Sequence, residues 1–343
     1  MPIQTYYMLN RLILGGLNMD WLSRLFEMMP VHGRLDLRCF YGAPWQIDQG
    51  PAEAGAIPYH AVLAGVAVLS DPAGGRALRL EAGDILLLPG NPRHVLHDGS
   101  GAKPKPAHNR QSLNLLISEN GGKGEALDML CGHFVIAPPH DHLLQNYLPP
   151  RLVVRVAGSE AHSGAATQLS ALVAMMRGET ESDHLGGRAM LNALSAAMFA
   201  LVLRLASEKD APTGLLALAG NPRLAPALAA IFNEPAHSWS LPELAKLCHM
   251  SRATLARQFQ EKLGKSASAL LTDIRMAIAA NELKKSSIST GAVAEAVGYQ
   301  SEAAFQRAFK SHIGQTPAQW RKALAQAASV DGAGGIGRWR ALP

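Results

Sequence analysis

At 343 residues the chain exceeds the roughly 100 to 200 residues of one ordinary domain, so two domains are expected. Its hydrophobic content of 48% is ordinary for a globular protein, and no apolar run approaches the ~18 residues of a membrane span, so the expectation is a cytoplasmic protein with no membrane partner. The net charge of +5 is unevenly placed: residues from 230 onward carry 14 Lys and Arg against 8 Asp and Glu, the first 229 carry 18 against 19, and a polyanionic partner is expected for the C-terminal third alone.

In chain order, residues 1–34 read as an N-terminal extension and a helix. The amphipathic stretch "MDWLSRLFEMM" begins at Met19, which leaves Met1 and Met19 as alternative starts. Residues 35–160 follow as short strands, "RLDLRCFY", "PYHAVLAGVAVLS", "RALRL", "GDILLLPG", "QSLNLLIS" and "CGHFVIA", separated by Gly, Pro and Asn. Such spacing predicts an all-β barrel or sandwich.

Gly83, Pro89 and His94 resemble the second conserved motif of cupins, with Asn91 in place of the usual Gly. The first cupin motif is missing: His60 is followed by Val62 where a second His would stand, and no Glu is near. His60, His94, His97 and His133 are candidate ligands for zinc or copper, against the alternative of structural histidines. A small apolar or aromatic effector seated against Trp45 is the other expectation for this domain.

Cys39 and Cys131 lie on predicted strands, with His133 on the same strand face as Cys131. A nearby His or Arg38 would lower a thiol pKa and make it an oxidant target; the alternative is a pair of small buried hydrophobes. The odd total of three cysteines makes no disulfide framework, and Cys248 reads as a packed core thiol.

Residues 161–208 contain two Ala, Leu and Met-rich helices, the second apolar on most faces. Such a helix must be buried, either against a second copy in a homodimer or on its own barrel. A linker is expected at 209–221, a helical domain at 222–327 and a disordered Gly-rich tail at 328–343.

The helical domain contains an internal repeat. Ser251, Leu255, Arg257, Phe259, Gly264 and Ser266 recur fifty positions later as Ser301, Phe305, Arg307, Phe309, Gly314 and Thr316. Helical periodicity puts the Leu and Phe positions inward, with Ala253, Arg257, Ala303 and Arg307 outward. Small residues let a helix approach bases, and Arg can reach guanine O6 and N7 with two donors. Ser251 and Ser301 suit N-caps beside a phosphate. The alternative is a helical bundle with solvated basic residues. A long helix, "SALLTDIRMAIAANELKK", would separate the two readers, and about 34 Å between them would suit adjacent major grooves.

From residue 222 to 325 the chain resembles the AraC/XylS family of bacterial transcription regulators, through Arg275, Ala279, Leu283, Ile288, Ala294, Gly298, Tyr299, Phe305, Arg307, Phe309, Lys310, Gly314, Thr316, Pro317, Trp320 and Arg321. Glu282, where the family favours Leu, is a departure. The resemblance implies promoter binding to double-stranded DNA by two helix-turn-helix units, usually as an activator working with RNA polymerase. It implies base reading by Ala253, Arg257, Glu302, Ala303, Gln306 and Arg307, and Arg252 and Lys310 complete the expected DNA-binding set.

The layout "DWLSRLF", "DLRCFYGAPWQI", "LLLPGNPRH", "CGHF" and "MSRATLARQF" resembles the branch of that family that senses reactive chlorine species through cysteine oxidation. The expected class is α+β: a cupin-like barrel, a helical dimerisation segment and an all-α double helix-turn-helix domain. A regulator is expected rather than an enzyme, with a small-molecule-responsive regulator or a metal cupin enzyme fused to a DNA-binding domain as alternatives.

Overall fold

The computed structural model describes residues 19–70, 77–90, 92–137, 140–156, 164–208, 212–285 and 288–330, excepting the side chains of His142 and 327–330. Residues 1–18, Asn91, residues 209–211 of the linker and the tail from residue 331 lie outside the described residues. The chain forms two compact units: residues 30–217, and residues 19–29 together with 218–329.

A first helix, α1 (Trp21–Met28), starts on an N-cap Asp20 that accepts from the amides of Leu22 and Ser23. It packs on α6 (Ala225–Asn233), with Trp21 edge-on to Phe232 at 6.3 Å and Asn233 Nδ2 donating to the Met19 carbonyl at 3.0 Å. Expected as the helix of an N-terminal segment 1–34, α1 is part of the helical unit.

The barrel strands are β1 (Val31–Gly42), β2 (Gln46–Gln49), β3 (Ala56–Ala64), β4 (Val66–Ser70), β5 (Leu78–Glu81), β6 (Asp84–Leu87), β7 (His94–His97), β8 (Ala107–Gln111), β9 (Leu116–Asn120), β10 (Ala126–Ile136) and β11 (Leu152–Arg155). They form a seven-stranded sheet, ordered β11-β6-β3-β10-β1-β9-β8, and a four-stranded sheet, β2-β7-β4-β5. "PYHAVLAGVAVLS", expected as one strand, is two strands in different sheets. Gly65 makes the bend at φ 82°, where a Cβ would lie 2.0 Å from the Ala126 carbonyl oxygen. The alternation along β1, β3 and β10 sends Cys39, Tyr41, Val62, Met129 and Cys131 inward, where they meet Leu69, Leu80 and Leu96 from the smaller sheet. Trp45 is buried in this same core.

The other face of the large sheet is covered by helices. After α2 (His140–Tyr147), the helices α3 (Gly164–Thr180) and α4 (Gly187–Ser207) pack together, and α4 lies on β1. By length and composition α4 would pass for a membrane span, contrary to the expectation that no such segment exists. Its Phe199 ring meets Phe134 at 4.6 Å and its Ser195 hydroxyl meets that of Tyr59 at 2.9 Å. Gly33 permits this approach, since a Cβ there would lie 2.3 Å from the Ala196 amide nitrogen. The helix thus packs on its own barrel, one of the two burials expected for it.

The stretch 209–221, expected as a linker, contains the short helix α5 (Leu215–Ala219); after α6 the helical unit continues with α7 (Leu241–Leu247), α8 (Arg252–Leu263), α9 (Ala267–Glu282), α10 (Thr290–Ala296), α11 (Glu302–Ile313) and α12 (Pro317–Val330). The second half packs around Met276, Ala280, Val293, Val297, Phe305 and Phe309, with Trp320 Nε1 donating to the Ala280 carbonyl at 3.1 Å.

Candidate nucleic-acid interface and a buried thiol pair

Helices α7 and α8 form one helix-turn-helix and α10 and α11 a second. The first helices begin on N-caps Ser240 and Ser289, forty-nine positions apart; the second begin on Ser251 and Ser301, fifty apart. The extra residue lies in the second turn, after its left-handed position. That position is His249 (φ 50°) in the first unit and Gly298 (φ 81°) in the second. At Gly298 a Cβ would lie 2.2 Å from the Ala236 carbonyl oxygen. Arg275 braces the same loop by donating to the carbonyls of Pro235, Ala236 and His237.

The six-residue repeat is chiefly a record of how the fold is built. Ser251 and Ser301 accept from the amides of Thr254 and Ala304 as N-caps. Leu255 with Phe305, and Phe259 with Phe309, are fully buried. Gly264 and Gly314 end the helices in the left-handed region. Ser266 and Thr316 accept from the amides of Ala269 and Gln319 as the next helices start. Arg257 and Arg307 alone among the repeated residues are exposed outward side chains that take no part in cap or core.

Arg252, Ala253 and Arg257 share the exposed face of α8, as do Glu302, Ala303, Gln306, Arg307 and Lys310 on α11. Two local pairs hold side chains on these faces: Arg257 with Glu261 at 3.1 Å, and Gln306 donating to Glu302 at 2.8 Å. Exposed pairs of this kind are worth less than about 1 kcal/mol, so they yield readily to a stronger partner. Cys248 is buried where α7 ends, as expected of a core thiol.

In the barrel, Cys39 and Cys131 point into the core with their sulfurs 3.9 Å apart. Cys131 pairs across the sheet with His60, whose Nδ1 is 3.2 Å from its sulfur. His60 Nε2 meets His94 Nε2 at 2.8 Å, and His94 Nδ1 meets the Pro92 carbonyl at 3.0 Å. The hydrogen bond with Cys39, together with burial, pushes the Cys131 thiol well up. Burial, then the neighbouring His94, holds the His60 imidazole well below its usual range; burial likewise lowers His94.

These contacts correct the sequence reading of the thiols. Arg38 does not activate Cys39: it lies on the opposite face, forked onto Asp128 at 2.9 and 2.8 Å and bonded to Thr180 at 2.6 Å. His133 does not serve Cys131 either, because its Nδ1 meets Asp36 at 2.6 Å, on the residue where the β1 register shifts. His60 is the thiol's partner, which only the strand register discloses.

A family model described as a helix-turn-helix domain matches residues 244–323, and one described as a cupin matches residues 20–208. An HTH-type transcriptional regulator of Haemophilus influenzae is 31% identical over 89% of this chain and 99% of its own. The RCS-specific HTH-type transcriptional activator RclR of Escherichia coli is 29% identical over 90% of this chain and 100% of its own. An AraC-like transcription regulator of Streptomyces antibioticus is 29% identical over 89% and 99%. The chain belongs to the AraC family, with a cupin N-terminal half.

Like these relatives, this AraC-family protein is a DNA-binding transcription regulator and not an enzyme. Its cupin half does not fit the metal that cupins commonly hold. The four histidines expected to converge on zinc or copper separate: His60 and His94 bond each other, His97 meets the Ser70 hydroxyl at 3.0 Å, and His133 meets Asp36. His97 sits an odd number of residues from His94 on β7 and so faces away from it. Among the described residues no three His, Cys, Asp or Glu are arranged to hold a metal ion.

Proposed function

We propose that this AraC-family regulator is a cytoplasmic, homodimeric transcription activator whose barrel senses oxidants through Cys39 and Cys131. The single observation carrying the redox reading is the 3.9 Å separation of two buried sulfurs on adjacent strands. A disulfide needs about 2.05 Å, so closing the gap requires a small local movement rather than unfolding. The E. coli relative named as RCS-specific supports hypochlorous acid as the oxidant class. Oxidation changes the control that the barrel exerts on the two helix-turn-helix units. Arg257 and Arg307 then read guanines in adjacent major grooves, with Ala253, Glu302, Ala303 and Gln306 completing the base-reading faces. Ser251, Arg252, Ser301 and Lys310 approach phosphates. Bound at the promoter, the dimer recruits RNA polymerase.

The test is DNA binding upstream of the protein's own gene, with reduced and hypochlorite-treated protein compared at one salt concentration. The expected result is a change in affinity on oxidation that a Cys131→Ala variant does not show. Specific binding indifferent to oxidation would replace this reading with a small-molecule effector.

A further inference from the structure

We infer that His60 and His94 form a directional proton relay serving the Cys131 thiol, which makes Cys131 the sulfur oxidised first and Cys39 the one that resolves it. This rests on the oxidant-sensing reading above. The direction follows from the far end of the chain of contacts. The Pro92 carbonyl only accepts, so His94 Nδ1, 3.0 Å away, carries a hydrogen. A neutral imidazole carries only one, so His94 Nε2 is bare and accepts from His60 Nε2–H at 2.8 Å. His60 Nδ1 is then bare as well, and faces the Cys131 thiol as its acceptor at 3.2 Å. Both rings are buried, which keeps them neutral, so that each carries one hydrogen and one bare nitrogen.

The relay answers a difficulty of the buried site. A thiol held as neutral S–H is a poor nucleophile, since the thiolate is the reactive form. A base in contact removes the proton as the sulfur attacks. Of the two cysteines, Cys131 retains 3% exposure and Cys39 none, and Cys131 has the imidazole contact. With hypochlorous acid, the Cys131 sulfur attacks chlorine while its proton passes to His60 Nδ1 and the His60 Nε2 proton passes to His94. The Cl–O bond breaks, an S–Cl bond forms, and the departing hydroxide recovers a proton from His60, giving water and resetting both rings. The Cys39 sulfur then displaces chloride from Cys131, and the proton of Cys39 is released to solvent. In balance, two thiols and one hypochlorous acid give a disulfide, water, chloride and a proton.

The experiment uses the full chain. Stopped-flow mixing with hypochlorous acid, quenched for mass spectrometry, measures formation of the Cys39–Cys131 bond. His60→Asn keeps an acceptor oxygen for the thiol but no base, and is expected to slow the reaction by about tenfold or more. His94→Gln, an acceptor that cannot pass a proton on, is expected to slow it a few-fold. Nitrogen NMR of the reduced wild type should show opposite tautomers, His60 protonated at Nε2 and His94 at Nδ1. That spectrum decides the matter even where a variant does not fold. Wild-type rates in both variants, or a His60 protonated at Nδ1, would overturn the relay and leave the oxidant-sensing reading standing. A wild-type protein in which hypochlorous acid joins no Cys39–Cys131 bond would instead overturn the sensing reading, and the relay with it.

Discussion

The two units place their chemistry in opposite ways. In the helix-turn-helix unit the candidate base readers lie on exposed faces, separate from the caps and cores that fold the helices. In the barrel the candidate residues are the core: Cys39, Cys131, His60 and His94 are all buried and hold one another. An exposed reader can be exchanged without touching the fold, whereas every change in the barrel acts on stability and chemistry together.

The sharpest break of that contrast is Arg38, buried in the barrel unit yet outside the thiol cluster. Arg38→Ala leaves Asp128 buried without its ion partner and is expected to lower stability by about 3–5 kcal/mol, measured by urea unfolding. On the exposed side, Arg257→Ala or Arg307→Ala should weaken specific promoter binding by about 1–3 kcal/mol while stability changes by no more than about 0.5 kcal/mol. Gel shifts on specific and scrambled DNA, paired with thermal unfolding, check both halves of that statement.

A subtler effect separates the units by pH. His60 and His94 stay neutral in the folded barrel at pH values where an unfolded imidazole, with a pKa of about 6.5, binds a proton. The unfolded state then holds more protons, so barrel stability falls as pH drops below about 6.5, by up to about 1.4 kcal/mol per pH unit for each ring. Urea unfolding between pH 5 and pH 8 should show this slope, and His60→Asn should reduce it. The smallest effect belongs to a cap: Ser240→Ala removes one half of the capping box with Glu243 and should cost about 1 kcal/mol of helical-unit stability by thermal unfolding.

The same contrast governs what could be read from sequence. Helical periodicity is local, so the inward Phe305 and Phe309 and the outward Arg307 follow from spacing alone. The fifty-residue repeat also showed that there are two units. Spacing marked its Leu and Phe matches as inward and its first Ser as an N-cap, but the structural parts of Gly264, Gly314, Ser266 and Thr316 show only in the left-handed glycines and the second set of caps. In the barrel, alternation put Cys39 and Cys131 on strands, but strand partners are set by long-range register. The pairing of Cys131 with His60 and the bulge at Asp36 therefore stayed hidden, and Arg38 and His133 were expected beside thiols whose imidazole contact is His60. Strand β8, "AHNRQ", is exposed throughout and carries no hydrophobic alternation to announce it. The bend at Gly65 was concealed inside an apolar run that reads as a single strand.

The attachment of α1 to α6 bears on how such regulators are recombined. A chimera joined once, between residues 217 and 218, would take residues 19–29 from one parent and residues 218–329 from the other, and so divide the contact of Trp21 with Phe232 between two parents. Exchanging sensors between members of the family therefore needs two crossovers, one on each side of the barrel.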